Sequence, residues 1–249
     1  MRDETVSTLR ELLARNGFVA ADEEAVELVE AASDDPALLE GMVGRRLTGE
    51  PLAWITGMVE FAGLTLVVHP GVYVPRWHTE AVAERAVARL PRDGVAIDLC
   101  TGCGALARVL MAKAGRVVAS DLDPKAVANA RANGVEAYEG DLFGPLPRLQ
   151  ADVITAVVPY VPTPDLPLLQ RDTFTFEPEL FYDGGPDGRR LLDRVIAEAP
   201  RHLRPGGALL LELGGRQAEQ VDLSAYTEVR VIEDEEGNPR GIEATLRGS

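Results

Sequence analysis

The residues best suited to chemistry begin with an aspartate that closes an apolar run and is followed by a loop of small residues. Asp98 ends the run Val-Ala-Ile-Asp, and Gly102 and Gly104 stand in the loop after it. Glycine lets a backbone turn sharply and approach a ligand closely. Asp121 ends the next apolar run, where a carboxylate can bind the hydroxyls of a ribose. The pattern predicts a nucleoside site at the ends of two neighbouring strands.

Two kinds of nucleoside cofactor fit this arrangement. A dinucleotide such as NAD favours a third glycine, and Ala107 takes that place here, which the looser form of the fingerprint tolerates. A carboxylate at Asp98, directly before the loop, would repel a pyrophosphate but suits the positively charged amino-acid end of S-adenosylmethionine. Asp141, after the third apolar run, can accept the adenine amino group. The three acids together predict S-adenosylmethionine, although Asp98 or Asp141 alone could be an ordinary strand-end acid or helix cap.

Cys100 and Cys103 have the spacing of a redox pair or of half a zinc site. Both lie inside the glycine loop, which already has an explanation as a nucleoside-binding bend. They are the only two cysteines in the sequence, whereas a zinc site with this spacing needs a second pair of ligands. We therefore predict neither redox chemistry nor a metal site.

The overall composition is that of an ordinary globular protein. The 249 residues are 46% hydrophobic and 26% charged, and no stretch approaches the ~20 consecutive apolar residues that cross a bilayer. The N-terminus runs directly into a charged amphipathic pattern without an apolar signal segment, so we expect a cytoplasmic protein. A formal net charge of -15 would repel a phosphate backbone. We expect no nucleic-acid partner and no membrane partner.

Hydrophobic periodicity divides the chain into three parts. Residues 1–50 predict a small helical bundle, with Asp22 and Ser33 at helix N-caps and Pro36 in the first turn of the third helix. Residues 51–75 change to short apolar runs and predict a β-hairpin linker. In residues 76–249, apolar runs alternate with helical patterns, as in a doubly wound α/β sheet. Strands are predicted at 95–99, 116–121, 135–138, 152–158, 208–213, 227–232 and 241–246.

Several short motifs, spread from Pro51 to about Val221, together resemble one known family. They are Pro51-Leu-Ala-Trp-Ile-Thr-Gly57, Glu60-Phe-Ala-Gly63, Val74-Pro-Arg-Trp-His-Thr-Glu80, the loop 98–104, Val158-Pro-Tyr-Val161, Glu177-Pro178, Asp183-Gly-Gly-Pro-Asp-Gly188, Leu203-Arg-Pro-Gly-Gly207 and Glu212-Leu-Gly214. The chain resembles the HemK/PrmC family of protein-(glutamine-N5) methyltransferases. The resemblance implies a seven-stranded, Rossmann-like class I methyltransferase sheet with its last strand antiparallel, behind a small N-terminal helical domain. It also implies S-adenosylmethionine as donor and a release-factor glutamine as acceptor.

The chain departs from the family pattern at the acceptor motif. The family has Asn-Pro-Pro-Tyr, and the aligned residues here are Val157, Val158, Pro159 and Tyr160. The resemblance implies that the Asn side chain and a Pro carbonyl accept hydrogen bonds from the substrate amide. Valine offers no acceptor, and each unsatisfied amide hydrogen would cost on the order of 1–3 kcal/mol. Amide methylation by the usual route is therefore open to question in this chain.

A second departure puts a titratable side chain near the expected acceptor site. Trp77 and His78 stand where the family has Pro-Glu. Histidine titrates near neutral pH and can act as a general base. A packing or surface histidine is the alternative, and Tyr160 could likewise be a packing aromatic.

These considerations define a set of candidate site residues. The acceptor end is predicted to use Pro159, Tyr160 and His78. The cofactor is predicted to contact Thr79, Asp98, Cys100, Thr101, Gly102, Gly104, Asp121, Leu122, Asp141, Leu142 and Val157.

Three functions follow for this scaffold. The first is a HemK-like methyltransferase that modifies a glutamine or related side chain of a protein or peptide. The second is a small-molecule methyltransferase with a remodelled acceptor pocket, which Val157, Trp77 and His78 favour. The third is a binding protein that keeps the cofactor site without transferring methyl groups. A monomer is expected in each case, because the sequence has no evident coiled coil or exposed apolar stripe.

Overall fold

The computed structural model describes residues 2–169, 173–234 and 236–248. The chain opens with three helices, α1 (Arg2–Arg15), α2 (Ala21–Ala31) and α3 (Pro36–Leu47), followed by the short α4 (Leu52–Thr56). Apolar residues at helical spacing on α1, α2 and α4 form a separate small core, which contains Leu9, Leu13, Ala25, Leu28 and Ile55. Among the helices in the described ranges, none combines the length and apolar character that a bilayer span requires.

The predicted helix starts are partly wrong. Pro36 stands in the first turn of α3 as expected, but the cap is Asp35, whose carboxylate accepts hydrogen bonds from two backbone N–H groups. Ser33 lies outside the helix with a positive φ of 49°. Asp22 stands inside the first turn of α2, one residue after its start, where an acid complements the helix dipole without capping it. Both misplacements are shifts of one or two residues along the chain.

Within the predicted linker, residues 58–67 form the expected hairpin, whereas Leu52–Thr56 is the helix α4, which packs on the N-terminal core. Strands β1 (Met58–Phe61) and β2 (Leu64–Val67) pair antiparallel, and Ala62 and Gly63 form the turn with positive φ. Asn129 fixes the end of the hairpin, since its amide donates to the Val67 carbonyl at 2.8 Å and accepts from the His69 N–H at 2.7 Å. These bonds hold the segment that follows β2 close to the larger sheet.

The larger sheet has seven strands in the order β5-β4-β3-β6-β7-β9-β8. The strands are β3 (Val95–Leu99), β4 (Arg116–Asp121), β5 (Glu136–Glu139), β6 (Ala151–Ala156), β7 (Leu203–Glu212), β8 (Tyr226–Glu233) and β9 (Pro239–Leu246). Neighbouring strands pair parallel from β5 to β7, and β9 pairs antiparallel with both of its neighbours. The fold expected from the sequence, a doubly wound seven-stranded sheet with one antiparallel strand, is confirmed.

Helices cover both faces of this sheet. They are α5 (Glu80–Arg89), α6 (Ala105–Leu110), α7 (Pro124–Ala132) and α9 (Arg190–Glu198), whereas the short α8 (Thr173–Phe176) places Phe176 against the cluster around the hairpin. Alternate residues of each central strand point to opposite faces, so Ala96 packs with α5, α6 and α7 while Ile97 packs with α9. Both faces are therefore apolar, which explains why the central strands read as continuous hydrophobic runs.

Two strand boundaries matter for the site. The run 152–158 was predicted as one strand, but β6 ends at Ala156, so Val157 and Val158 leave the sheet and turn towards its carboxyl edge. The run 208–213 was predicted to begin at Ala208, whereas β7 begins at Leu203. The pairing of β7 with β6 shifts register between Ala151 and Val153, and this irregularity lets β7 continue through Gly206 and Gly207.

Gly104, predicted to contact the cofactor, has a packing reason to be glycine. Its φ is +88°, and a Cβ there would lie 2.9 Å from Val135 Cγ2 and 3.3 Å from Ala130. Gly102 also has a positive φ, but the nearest atom to a Cβ is the Tyr73 carbonyl oxygen at 3.9 Å. Gly104 thus lets α6 pass close to α7, while the space beside Gly102 is open.

We expect Gly104→Ala to destabilise the protein by about 1–3 kcal/mol more than Gly102→Ala, because the two share the cost of a positive φ and differ in overpacking. Urea denaturation of the two variants measures the difference. Equal free energies of unfolding would contradict the packing role of Gly104.

Candidate active site

A cavity of about 400 Å³ opens at the carboxyl ends of β3, β4 and β6. This is where ligands bind in open α/β sheets, because strand order reverses there and leaves a crevice between the loops. The predicted site residues that line it are Thr79, His78, Asp98, Cys100, Thr101, Gly102, Asp121, Leu122, Val157, Pro159 and Tyr160. The structure brings these residues together from separate parts of the sequence.

Asp98 holds the loop after β3. Its carboxylate is buried and accepts hydrogen bonds from the Thr101 hydroxyl at 2.6 Å and the Thr155 hydroxyl at 2.7 Å. Burial raises the pKa of Asp98 to about 6, although these hydrogen bonds oppose the shift. The side chain therefore stabilises the bend and also faces the cavity with an acid that titrates in a mildly acidic range.

Asp121 joins the ends of β4 and β3. One carboxylate oxygen accepts the Gly102 N–H at 2.9 Å, and the other accepts the Asp123 N–H at 3.0 Å. Burial raises the pKa of Asp121 above its ordinary value, and the backbone N–H groups partly offset this. Leu122, the next residue, is largely exposed at the cavity. Asp121 thus orders the glycine bend while it lines the cavity.

The two cysteines also lie in the cavity wall, as free thiols. Burial raises the pKa of both, that of Cys103 to about 12, so the neutral thiol is favoured and the nucleophilic thiolate is disfavoured. Within the described part of the chain, no group of three or more His, Cys, Asp or Glu side chains could hold a metal ion.

Glu212, at the end of β7, is the main site residue that the sequence prediction left without a role. It is 1% exposed. One of its oxygens accepts the Thr79 hydroxyl at 2.6 Å, and the other accepts the Tyr160 hydroxyl at 3.0 Å. His78 Nε2 lies 3.4 Å from the same oxygen that Tyr160 contacts. The motif Glu212-Leu-Gly214 was among those that resemble the family, but no feature of the neighbouring sequence indicates that the Glu212 carboxylate bonds Thr79 and Tyr160.

Tyr160 and Pro159 form a fixed part of the cavity wall. The Gln217 side chain donates to the Tyr160 carbonyl at 2.8 Å, and the ring lies so close to Gly214 that a Cβ there would be 3.2 Å from Tyr160 Cε2. Burial and the neighbouring Glu212 raise the Tyr160 pKa well above its ordinary value. Val157 stands half-buried in the same wall and presents only an apolar surface.

Arg76 closes another side of the cavity. It donates to the Glu177 carboxylate and to the Tyr182 hydroxyl, each at 2.8 Å, and its guanidinium lies 5.0 Å from the centre of the Tyr73 ring. Tyr182 also hydrogen-bonds Glu177. This cluster connects the segment before α5 to the long segment between β6 and α9.

Three predicted cofactor residues do not line the cavity. Gly104 packs under α7, as described above. Leu142 is buried in the sheet core, where its carbonyl accepts the Ser120 hydroxyl at 2.7 Å. Asp141 is exposed, and its two oxygens accept hydrogen bonds from Arg194 at 3.2 and 2.8 Å. In this structure Arg194 therefore already binds both oxygens of the carboxylate that was predicted to meet the adenine.

The fold is shared with solved methyltransferases. The E. cuniculi Mtq2–Trm112 complex, responsible for methylation of the eRF1 translation termination factor, matches with a TM-score of 0.54 and 22% identity over 72% of this chain and 99% of that chain. A methyltransferase from Pyrococcus furiosus matches with a TM-score of 0.53 and 21% identity over 84% of this chain and all of that one. At these identities the likeness shows the fold alone.

Sequence comparison with curated proteins is more specific. No protein-family model matches the chain. The release factor glutamine methyltransferase of Geobacter sulfurreducens is 40% identical over 76% of this chain and 69% of its own length. The enzyme of the same name from Mycolicibacterium smegmatis is 36% identical over 85% of this chain and 82% of its own length. The one from Escherichia coli is 34% identical over 81% of this chain and 78% of its own length. The resemblance read from the motifs is thereby confirmed, and the chain belongs to the release factor glutamine methyltransferase family.

Proposed function

We propose that this protein transfers a methyl group from S-adenosylmethionine to a glutamine side chain of a protein, with a release factor as the acceptor. One observation supports this most directly. The glycine bend held by Asp98 and Asp121 shares a single cavity with the Pro159–Tyr160 wall, so a nucleoside donor and a planar acceptor can meet there. The curated relatives carry the same activity in their names.

The cavity chemistry fits a cationic nucleoside. Its volume falls within the ~300–1,000 Å³ of typical small-molecule sites, and its lining is mostly apolar with acids at the bend. Among the described residues that line it, Arg76 alone carries a permanent positive charge, and that charge is paired with Glu177. A pyrophosphate would therefore meet carboxylates without a free cation to balance it.

Each group of residues has a distinct task in this proposal. Asp121 binds the ribose hydroxyls, Leu122 packs on the adenine, and the carboxylate of Asp98 attracts the positively charged amino-acid end. When bound, S-adenosylmethionine supplies an electrophilic methyl group on its sulfonium. Pro159 and Tyr160 stack against the acceptor amide and hold its nitrogen near that methyl, because catalysis of an in-line displacement depends mainly on positioning.

The acceptor is a protein or peptide in this proposal, and we further propose that the enzyme works as a monomer in the cytoplasm.

A small-molecule acceptor is the second candidate, and two side chains favour it. Val157 presents no hydrogen-bond acceptor where an amide would be read, and Trp77 is 62% exposed beside the cavity residue His78. An apolar pocket with an exposed aromatic suits a flat organic acceptor. The variant Val157→Asn separates the candidates, since release-factor glutamine methylation found only in this variant would exclude that activity for the native protein.

The first test is direct methylation. We expect the native protein to transfer tritiated methyl from S-adenosylmethionine to a recombinant bacterial release factor, with the label on one glutamine by peptide mass mapping. The matched control is the release factor with that glutamine replaced by alanine, which should stay unlabelled. Label in a small-molecule extract but not in the release factor would favour the second candidate, and no label in either would favour a non-catalytic binding protein.

The second test concerns the acids at the strand ends. We expect Asp121→Asn to weaken S-adenosylmethionine binding by at least about tenfold, or ~1.4 kcal/mol, because a charged acceptor for two ribose hydroxyls is lost. Asp141→Asn should weaken it only a few-fold, since Asp141 must give up its Arg194 pair to reach the adenine. Arg194→Met should strengthen binding for the same reason. Calorimetry measures all three, and unchanged affinity of Asp121→Asn would remove that residue from the site.

The third test uses the pKa of Asp98, which burial raises to about 6. Because only the ionised carboxylate attracts a cation, we expect the affinity for S-adenosylmethionine to fall as the pH is lowered through about 6. Asp98→Asn should bind more weakly at neutral pH, and its affinity should converge with that of the native protein near pH ~5. Two curves that stay parallel over this range would show that the charge of Asp98 does not contribute.

A further inference from the structure

We propose that His78 reads the acceptor amide in place of the asparagine that this chain lacks, and that Glu212 positions it to do so. In this arrangement His78 Nδ1 accepts a hydrogen bond from the acceptor N–H, and Glu212 fixes the ring through Nε2. The inference rests on the proposed function, because it assigns the hydrogen-bond acceptor that glutamine methylation needs at this site.

The geometry of His78 supplies the starting point. The residue lies in the one-turn helix Trp77–Thr79 just before α5, and its ring lines the cavity. Nε2 is buried and has no hydrogen-bond partner among the residues that the structure describes. The closest acidic oxygen is Glu212 Oε1 at 3.4 Å. A small rotation of the ring would complete that hydrogen bond, so Glu212 is the natural partner of Nε2.

This contact selects the tautomer of a neutral imidazole. A neutral histidine carries one N–H and one lone pair, and a carboxylate favours the N–H on the nitrogen that faces it. The proton therefore belongs on Nε2, which leaves the lone pair on Nδ1. Nε2 is buried and His78 lines the cavity, so in the proposed arrangement Nδ1 is the nitrogen that meets the acceptor.

Glu212 is rigid enough to set this orientation. Its carboxylate is 1% exposed and is held by the Thr79 and Tyr160 hydroxyls. A buried carboxylate needs such donors to offset its desolvation, and in the proposed arrangement the His78 Nε2–H would supply a third. Because Tyr160 belongs to the acceptor wall and Thr79 follows His78 directly, the same carboxylate aligns the ring with the wall.

The other polar groups at this end of the cavity are already committed. The Tyr160 hydroxyl donates to Glu212, and the Val157 side chain has no polar atom. The Asp98 carboxylate accepts hydrogen bonds from the Thr101 and Thr155 hydroxyls. The Arg76 guanidinium can only donate hydrogen bonds. His78 Nδ1 is therefore the side-chain lone pair best placed to replace the missing asparagine oxygen.

The same atom can receive the proton that methylation releases. The bond from nitrogen to the methyl carbon forms with the nitrogen lone pair, and the bond from the methyl to sulfur breaks with its electrons going to sulfur. One N–H proton of the acceptor then passes to Nδ1. The resulting imidazolium faces Glu212 through Nε2–H, and the opposite charge stabilises it until the proton is released to water.

The tautomer can be measured without knowing the acceptor. The chain has three histidines, His69, His78 and His202, so ¹⁵N-histidine NMR spectra can be assigned with the variants His69→Gln and His202→Gln. We expect neutral His78 to be protonated on Nε2 in the native protein, and Glu212→Gln to reduce that preference. Protonation of neutral His78 on Nδ1 in the native protein would overturn the proposal, whether or not Glu212→Gln folds.

Enzyme kinetics with paired variants test the proposed role of His78 in binding the acceptor amide. We expect His78→Phe to lower kcat on the release factor by about tenfold or more, the range of a lost positioned hydrogen-bond or proton acceptor, with unchanged affinity for S-adenosylmethionine. His78→Asn, whose amide oxygen can occupy the position of Nδ1, should retain more activity. Adding Val157→Asn to His78→Phe should restore activity, because it returns the asparagine of the family motif. Equal losses in both His78 variants without rescue would indicate a structural role and contradict the proposal.

Failure of the two hypotheses can be told apart. If the native protein does not methylate a release factor, the proposed function fails, while the NMR measurement still decides whether His78 offers a lone pair on Nδ1. If the native protein methylates the release factor and His78→Phe is fully active, the function stands and the role of His78 is refuted.

Discussion

Carboxylates buried at one edge of the sheet are the constraint on which the site depends. Asp121 and Glu212 end their strands and Asp98 is the last residue but one of β3. Each must find hydrogen-bond donors because an unpaired buried carboxylate is costly. The available donors are hydroxyls and N–H groups of the loops beyond the strands. Satisfying the acids therefore folds these loops around a cavity, and Asp98 and Asp121 themselves lie in its wall.

The same constraint divides the cavity into two halves. Asp98 and Asp121 order the glycine bend, on the side of the cavity that we assign to the methyl donor because its charge favours a cation. Glu212 orders the side that we assign to the acceptor, where its carboxylate bonds Tyr160 and lies near His78. Placing both halves on strand ends of one rigid sheet keeps donor and acceptor in register, which is the main requirement for a displacement reaction.

The acceptor side is where this chain differs from the family pattern. Valine at 157 removes a polar group from the wall, while histidine at 78 adds one across the same cavity. Considered alone, valine at 157 predicts loss of amide recognition. Histidine at 78, considered alone, predicts a general base with no identified substrate proton to accept. Their position in one cavity makes a compensating exchange the simplest physical account.

Patterns within short segments determined much of the protein. Helical spacing in residues 1–50, the hairpin around Ala62-Gly63 and the alternation after residue 76 follow from local periodicity, and two strands were predicted with the observed bounds, β3 and β4. Errors arose where the local pattern is ambiguous, as at Ser33, where Asp35 two residues later is the better cap, and in the run 152–158, which stays apolar after the strand has ended.

The tertiary structure decided which distant groups meet. Thr79 and Glu212 are 133 residues apart in sequence, and no local pattern indicates that they bond. Likewise, sequence spacing alone could not show that Arg194 forms an ion pair with Asp141, or that Gly104 is needed for the close packing of α6 on α7. The sequence by itself was sufficient to predict the type of cofactor and the edge of the sheet proposed to bind it, because those depend on residue type and periodicity. Which distant side chains bond one another depends on how the strands and helices pack, which is a property of the whole fold.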